Sequence, residues 1–140
     1  TKHALLTTNL LEQASLALDK AGNTQDSETM LAYLASNIVI VVTFPENPEV
    51  PNMTFTKDTY AAYLKDGLAK TRDVSIRRLK TEYAVSSDGL SATADSTFTQ
   101  TATLRDTGQT FTSGGRQFVT FKLIDGAPRA TRMDVSLYYR

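Results

Sequence analysis

Leu90-Ser91-Ala92-Thr93-Ala94-Asp95-Ser96-Thr97-Phe98-Thr99-Gln100-Thr101-Ala102-Thr103-Leu104 changes character at almost every step. Leu90, Ala92, Ala94, Phe98, Ala102 and Leu104 fall on one parity; Ser91, Thr93, Asp95, Thr97, Thr99, Thr101 and Thr103 fall on the other. A period of two marks a strand, because successive side chains of an extended backbone point to opposite faces. Threonine reinforces the reading, since a β-branched side chain suits that backbone. The run predicts one long strand with an apolar face and a hydroxyl face.

The same period extends from Val74 to the C-terminus. Ser87-Asp88-Gly89, Asp106-Thr107-Gly108 and Asp125-Gly126 are turn signals that cut this half into strands near 73–86, 90–105, 109–124 and 128–140. Connections so short make an antiparallel meander. Gly114-Gly115 interrupts the third of these strands and predicts a bulge that bends the sheet.

Upstream the period is helical. Leu11, Ala14, Leu18 and Ala21 form a stripe, Asn9 and Glu12 offer a capping box, and Gly22-Asn23 ends the segment. Asp26 or Ser27 caps a shorter helix carrying Met30, Leu31, Leu34 and Ala35, which Asn37 ends. Ile38 to Phe44 reads as a strand buried on both faces, and Pro45, Pro48 and Pro51 make the next stretch a loop. Thr56 caps a third helix, with Asp58 in its positive first turn and Lys70 and Arg72 at its negative end. The expectation is a single α+β domain over residues 1–140, three N-terminal helices packed on a strongly curved antiparallel sheet.

Fifteen basic and fifteen acidic residues cancel, so no net field draws the chain to nucleic acid or acidic lipid. Arg72, Arg77, Arg78 and Lys80 cluster locally but lack interleaved aromatics, and read as a solvated face. There is no cysteine, which excludes disulfides and thiolate chemistry. No apolar run approaches the roughly 20 residues of a membrane span. The chain begins at Thr1 instead of Met, which is compatible with a removed leader, so the compartment stays open between cytoplasm and export.

The order helix, helix, short strand, helix, long meander resembles the nuclear transport factor 2-like fold, in particular its SnoaL-like branch. Leu31-Ala32-Tyr33-Leu34-Ala35-Ser36-Asn37-Ile38-Val39 is similar to that family's passage from helix to strand, and Phe55-Thr56-Lys57-Asp58-Thr59-Tyr60 to its entry into the third helix. Asp125-Gly126 followed by Arg129-Ala130-Thr131-Arg132-Met133-Asp134-Val135-Ser136 resembles its final hairpin. The family's glycine near residue 56 and its tryptophan after Gly126 are both absent. The resemblance implies a cone enclosing a pocket, in a family of cyclases, isomerases, dehydratases and epoxide hydrolases alongside binding and assembly modules. Fold alone does not choose among them.

By resemblance to the cyclases, Asp134 matches an aspartate acting as acid or base, which implies that it faces into the cone. A carboxyl in an apolar pocket is tuned toward proton transfer. The other reading turns Asp134 outward, paired with Arg132 or an arginine of a neighbouring strand. Where the cyclases carry a histidine this chain has Gln117 or Thr120, and its one histidine is His3. A Ser-His-Asp triad and a nitrogen- or sulfur-ligated metal site therefore lack their parts, and no cofactor is implied. Where the isomerases carry their base the chain has Thr43 and Phe44, and Asp19 matches an aspartate of the dehydratases but reads more simply as solvated beside Lys20.

Tyr33, Phe44, Tyr60, Tyr83, Phe98 and Phe121 are expected to line a ligand pocket, with Tyr33, Tyr60 and Phe98 around one void. Tyr63 and Phe118 stand near them in sequence, and about half of such aromatics belong to the core instead. The expected partners are a small apolar molecule and a second copy of the chain, joined through the threonine-rich outer face. An assembly module with a filled pocket is the alternative.

Overall fold

In the computed structural model, residues 4–139 are described. They form α1 (Thr8–Asn23), α2 (Ser27–Ala32), β1 (Leu34–Thr43), β2 (Met53–Phe55), α3 (Lys57–Lys70), β3 (Thr71–Val85), β4 (Ser91–Leu104), β5 (Thr110–Ile124) and β6 (Ala127–Tyr139). The four long strands stand where the alternation put them, joined by turns at Gly89, Gly108 and Gly126. Gly89 shows why glycine is needed: its φ is +72°, and a Cβ there would lie 2.8 Å from a methyl of Leu5.

All six strands make one sheet in the order β2-β1-β6-β5-β4-β3. β3 to β6 are an antiparallel meander, but β1 runs parallel to β6, pairing Val41 with Asp134 and Val42 with Val135. The sheet is mixed, which corrects the antiparallel expectation. Short turns dictate antiparallel neighbours only within the meander; β1 reaches β6 after a long excursion that carries no such constraint. β2 was hidden by the prolines before it, and pairs with β1 through Ile40 and Phe55. β1 buries Ile38, Ile40 and Val42, whereas Val39 is 40% exposed, so the strand is covered on one face and not on both.

α1 starts from Thr7, whose hydroxyl accepts from the Leu10 N–H, two residues ahead of the Asn9 box. It packs along β3, and Gly22 marks the contact: a Cβ there would sit 2.7 Å from Ile76 Cδ1. α3 is capped by Thr56 and Thr59 in a reciprocal box and lies beside β1, with Tyr60 packed part-buried against the core. Among the described residues no helix is long and apolar enough to cross a membrane, a test that does not address β-barrels.

Leu6, Leu11, Leu34, Ile38, Ile40, Val42, Val119, Phe121 and Met133 make the core, together with Ala92, Ala94 and Ala130. These residues gather toward the end of the sheet that carries the β3–β4 and β5–β6 turns. Farther along the inward face Phe98, Gln100, Phe111, Val135 and Leu137 are only half-buried. The concave side is thus partly uncovered between that core and Ala102 and Ser113, which are buried again farther on.

The β4–β5 register runs unbroken through Gly114 and Gly115, which face Thr99 and Phe98. No bulge forms at that pair. Gly115 instead lets β6 and an aromatic ring close in, since a Cβ would lie 2.2 Å from the Ser136 carbonyl oxygen and 3.2 Å from the Phe98 ring. Register shifts fall in β3, between Arg72 and Ser75 and between Arg78 and Lys80, and opposite Thr120–Phe121 in β5–β6.

Candidate functional site

The shift between Arg78 and Lys80 creates the site. Thr81, Tyr83 and Val85 pair with Ser96, Ala94 and Ala92, so odd residues of this part of β3 face inward with the buried side of β4. Unbroken alternation would turn Arg78 outward. Leu79 is the extra residue: Arg78 pairs with Phe98 and Lys80 with Thr97, so the parity changes and Arg78 joins the inward side. Leu79 itself is left 56% exposed.

Across from it, Ser15 and Asp19 stand one helical turn apart on the face of α1 that packs on β3. Arg78 donates from Nε to Asp19 Oδ2 at 2.9 Å and from Nη2 to Asp19 Oδ1 at 2.7 Å. Its Nη1 donates to Ser96 Oγ at 2.6 Å, and the Ser96 hydroxyl passes on to Thr81 Oγ1 at 3.2 Å. The Tyr83 hydroxyl donates to Ser15 Oγ at 3.1 Å. The two charged side chains are each 21% exposed, while Ser96 is 2% exposed. Paired carboxylate and guanidinium offset each other's desolvation, and the fork geometry fixes the ring of donors in place.

Both Asp19 oxygens are engaged by the same guanidinium, so the carboxylate is held as a counter-ion and not presented as an open base. Among the described residues no three acidic or histidine side chains gather in metal-binding geometry. His3 lies outside the described residues.

Asp134 does not face into the cone. Met133 is buried and pairs with buried Val119, while Asp134 pairs with Phe118, which is 37% exposed on the outer face. Asp134 is bonded by Arg132 Nε at 3.0 Å and Arg132 Nη2 at 3.1 Å, with its side chain 42% exposed. The inward-facing expectation is therefore overturned. With it goes the idea that Met133 and Val135 need a partner's cover, since they face the concave side. A shallow depression on the outer face is lined by Arg116, Phe118, Asp134 and Ser136.

The expected aromatic lining divides. Tyr83 and Phe98 face inward at the site, Phe98 directly beside Arg78 in register. Phe121 is 1% exposed and belongs to the core, not to a pocket wall. Phe44 lies just past β1 and packs on the core, and Tyr33 caps α2 with its carbonyl taking the Ala130 N–H. Tyr60 meets Phe55 edge-to-face at a ring-centroid distance of 5.7 Å and stacks with Tyr63 at 6.2 Å, where burial and the Tyr63 hydroxyl push its phenol up to about 12. Tyr60 thus stands with the aromatics of α3 and β2, and Phe98 on β4 opposite Gly115. Gln117 faces inward opposite Ser96, and Thr120 faces outward opposite Thr93.

Asp19 and Arg78 are thus a contact pair between α1 and β3, not the solvated groups that their local sequence suggests. The basic cluster is broken up: Arg72 pairs with Asp73, Arg78 with Asp19 and Lys80 with Glu82.

No protein-family model and no curated relative matches the sequence. The architecture does match solved structures. A conserved protein from Planctomyces limnophilus superposes with a TM-score of 0.80 at 12% identity, over 94% of this chain and 96% of that one. A nuclear transport factor 2-like protein of Pseudomonas putida gives 0.70 at 16% identity, over 95% and 89%. A ketosteroid isomerase-like protein of Erwinia carotovora atroseptica gives 0.70 at 18% identity, over 92% and 94%. The chain has the nuclear transport factor 2-like fold. At such identities the likeness speaks for the fold alone.

Proposed function

We propose that the protein is a small-molecule pocket protein of the SnoaL-like type, binding a largely apolar ligand on its concave face. The observation that carries this is the half-burial of Phe98, Val135 and Leu137 beside a built polar cluster at Arg78. An assembly module with a filled pocket would bury those side chains. The ketosteroid isomerase-like neighbour supports a small-molecule reading, although this chain lacks an open acid at the site. Acid/base turnover at Asp134 has no support in the geometry. Two-dimensional 1H–15N NMR against neutral aromatic fragments tests the proposal. Binding should shift the amides of Thr81, Phe98, Gln117 and Val135; shifts confined to Phe118, Asp134 and Ser136 would refute it.

We also propose a homodimer through the outer sheet face. Phe118 stands exposed there amid threonines, and the charges around it are already matched within the chain as Asp95–Arg116 and Arg132–Asp134. Light scattering should give twice the 15.4 kDa chain mass; a monomer mass would refute it.

A further inference from the structure

We infer that the concave site selects neutral ligands bearing a carbonyl-type hydrogen-bond acceptor, which Arg78 and Thr81 receive. This deepens the pocket reading and rests on it.

Guanidinium has five N–H groups and no acceptor. Arg78 spends two on Asp19 and one on Ser96, leaving one N–H on Nη1 and one on Nη2. Thr81 accepts from Ser96, so its own hydroxyl hydrogen is unspent. The strongest groups on this half-open surface therefore have hydrogens to give. An unmet donor in a partly desolvated site costs free energy, so a ligand that supplies an oxygen gains over one that does not. Charge narrows the class further. Asp19 already neutralises Arg78 at contact distance, and an incoming carboxylate would meet a like charge on the same guanidinium. A ketone, ester or similar oxygen meets no such repulsion. Phe98, paired with Arg78 in register, supplies an apolar wall beside the donors.

A merely structural role, in which the pair only staples α1 to β3, predicts no ligand preference. The test compares acetophenone, ethylbenzene and benzoate at matched concentrations, following the amides of Thr81 and Phe98 by NMR. Acetophenone should bind about tenfold tighter than either, the worth of one charge-assisted hydrogen bond. The preference over ethylbenzene should vanish in Asp19→Leu/Arg78→Met, which removes both charges together. It should shrink in Thr81→Val, which leaves the ion pair in place and guards against misfolding of the double variant. Equal binding of acetophenone and ethylbenzene overturns the inference and leaves the pocket reading intact. Tighter binding of benzoate overturns the neutrality of the class. Failure of all three probes to bind overturns the pocket reading, and this inference with it.

Discussion

Replacing Asp19 with alanine should cost far more stability than a surface acid would. The substitution leaves Arg78 facing α1 with two of its three bonds broken, inside a contact where both side chains are 21% exposed. Removing one partner of a fully buried pair costs about 3–5 kcal/mol. An exposed pair is worth about 0–1 kcal/mol. The exposure here lies nearer the buried case, which places the cost at about 2–3 kcal/mol. For a domain of this size that is a fall in Tm of roughly 8–12 °C. Urea unfolding at neutral pH measures it, with hydrogen exchange of α1 locating the loss. Removing both charges as Asp19→Leu/Arg78→Met should recover most of the loss, because no uncompensated charge remains. A cost below about 0.5 kcal/mol for Asp19→Ala would refute the reasoning, since that is the range of ordinary surface changes.

Asp134→Asn, by contrast, should leave ligand affinity unchanged, because the pair it breaks lies on the outer face and away from the concave site; fragment titration checks it. Gly115→Ala should destabilise by at least about 2–3 kcal/mol, because its Cβ meets backbone at Ser136 and cannot be accommodated by a side-chain rotation; a normal unfolding midpoint would show that β6 is not so close. Arg116 bonding holds the Asp95 carboxyl below its ordinary 3.8, so this pair contributes stability above that pH and loses it as the pH falls through the lower folded value. Asp95→Asn should therefore flatten the acid limb of the stability curve, and an unchanged limb counts against the pair. Tyr60, at about 12, keeps its proton in the folded state above pH 10 where the unfolded chain loses it, so stability falls with alkali between those values. Alkaline difference absorbance should show a late-ionising tyrosine, and Tyr60→Phe should remove it.

Period and turn chemistry were enough for the meander, because Leu90 to Leu104 alternates with only Ser96 and Gln100 breaking the apolar parity and glycine marks each turn. They were not enough for pairing between elements distant in sequence, so the parallel β1–β6 contact stayed hidden. The site failed for a sharper reason. A single extra residue at Leu79 reverses the parity of β3, and nothing in the local composition announces it. By sequence Arg78 therefore reads as one more exposed base, and Asp19 as a solvated residue beside Lys20. Asp134 failed differently. Its neighbours Met133 and Val135 are the more apolar pair, and the burial of one parity forces the other outward. Weighing those two residues against one aspartate would have pointed the strand correctly.

The arginine Nε–H signals measure the account's centre directly. If Arg78 is held inward by Asp19, one Nε–H cross-peak should exchange slowly with water, disappear in Asp19→Asn and move when acetophenone is added. If no arginine Nε–H is protected, or if the ligand moves only the amides of Phe118 and Asp134, the concave site is not where this protein meets a small molecule.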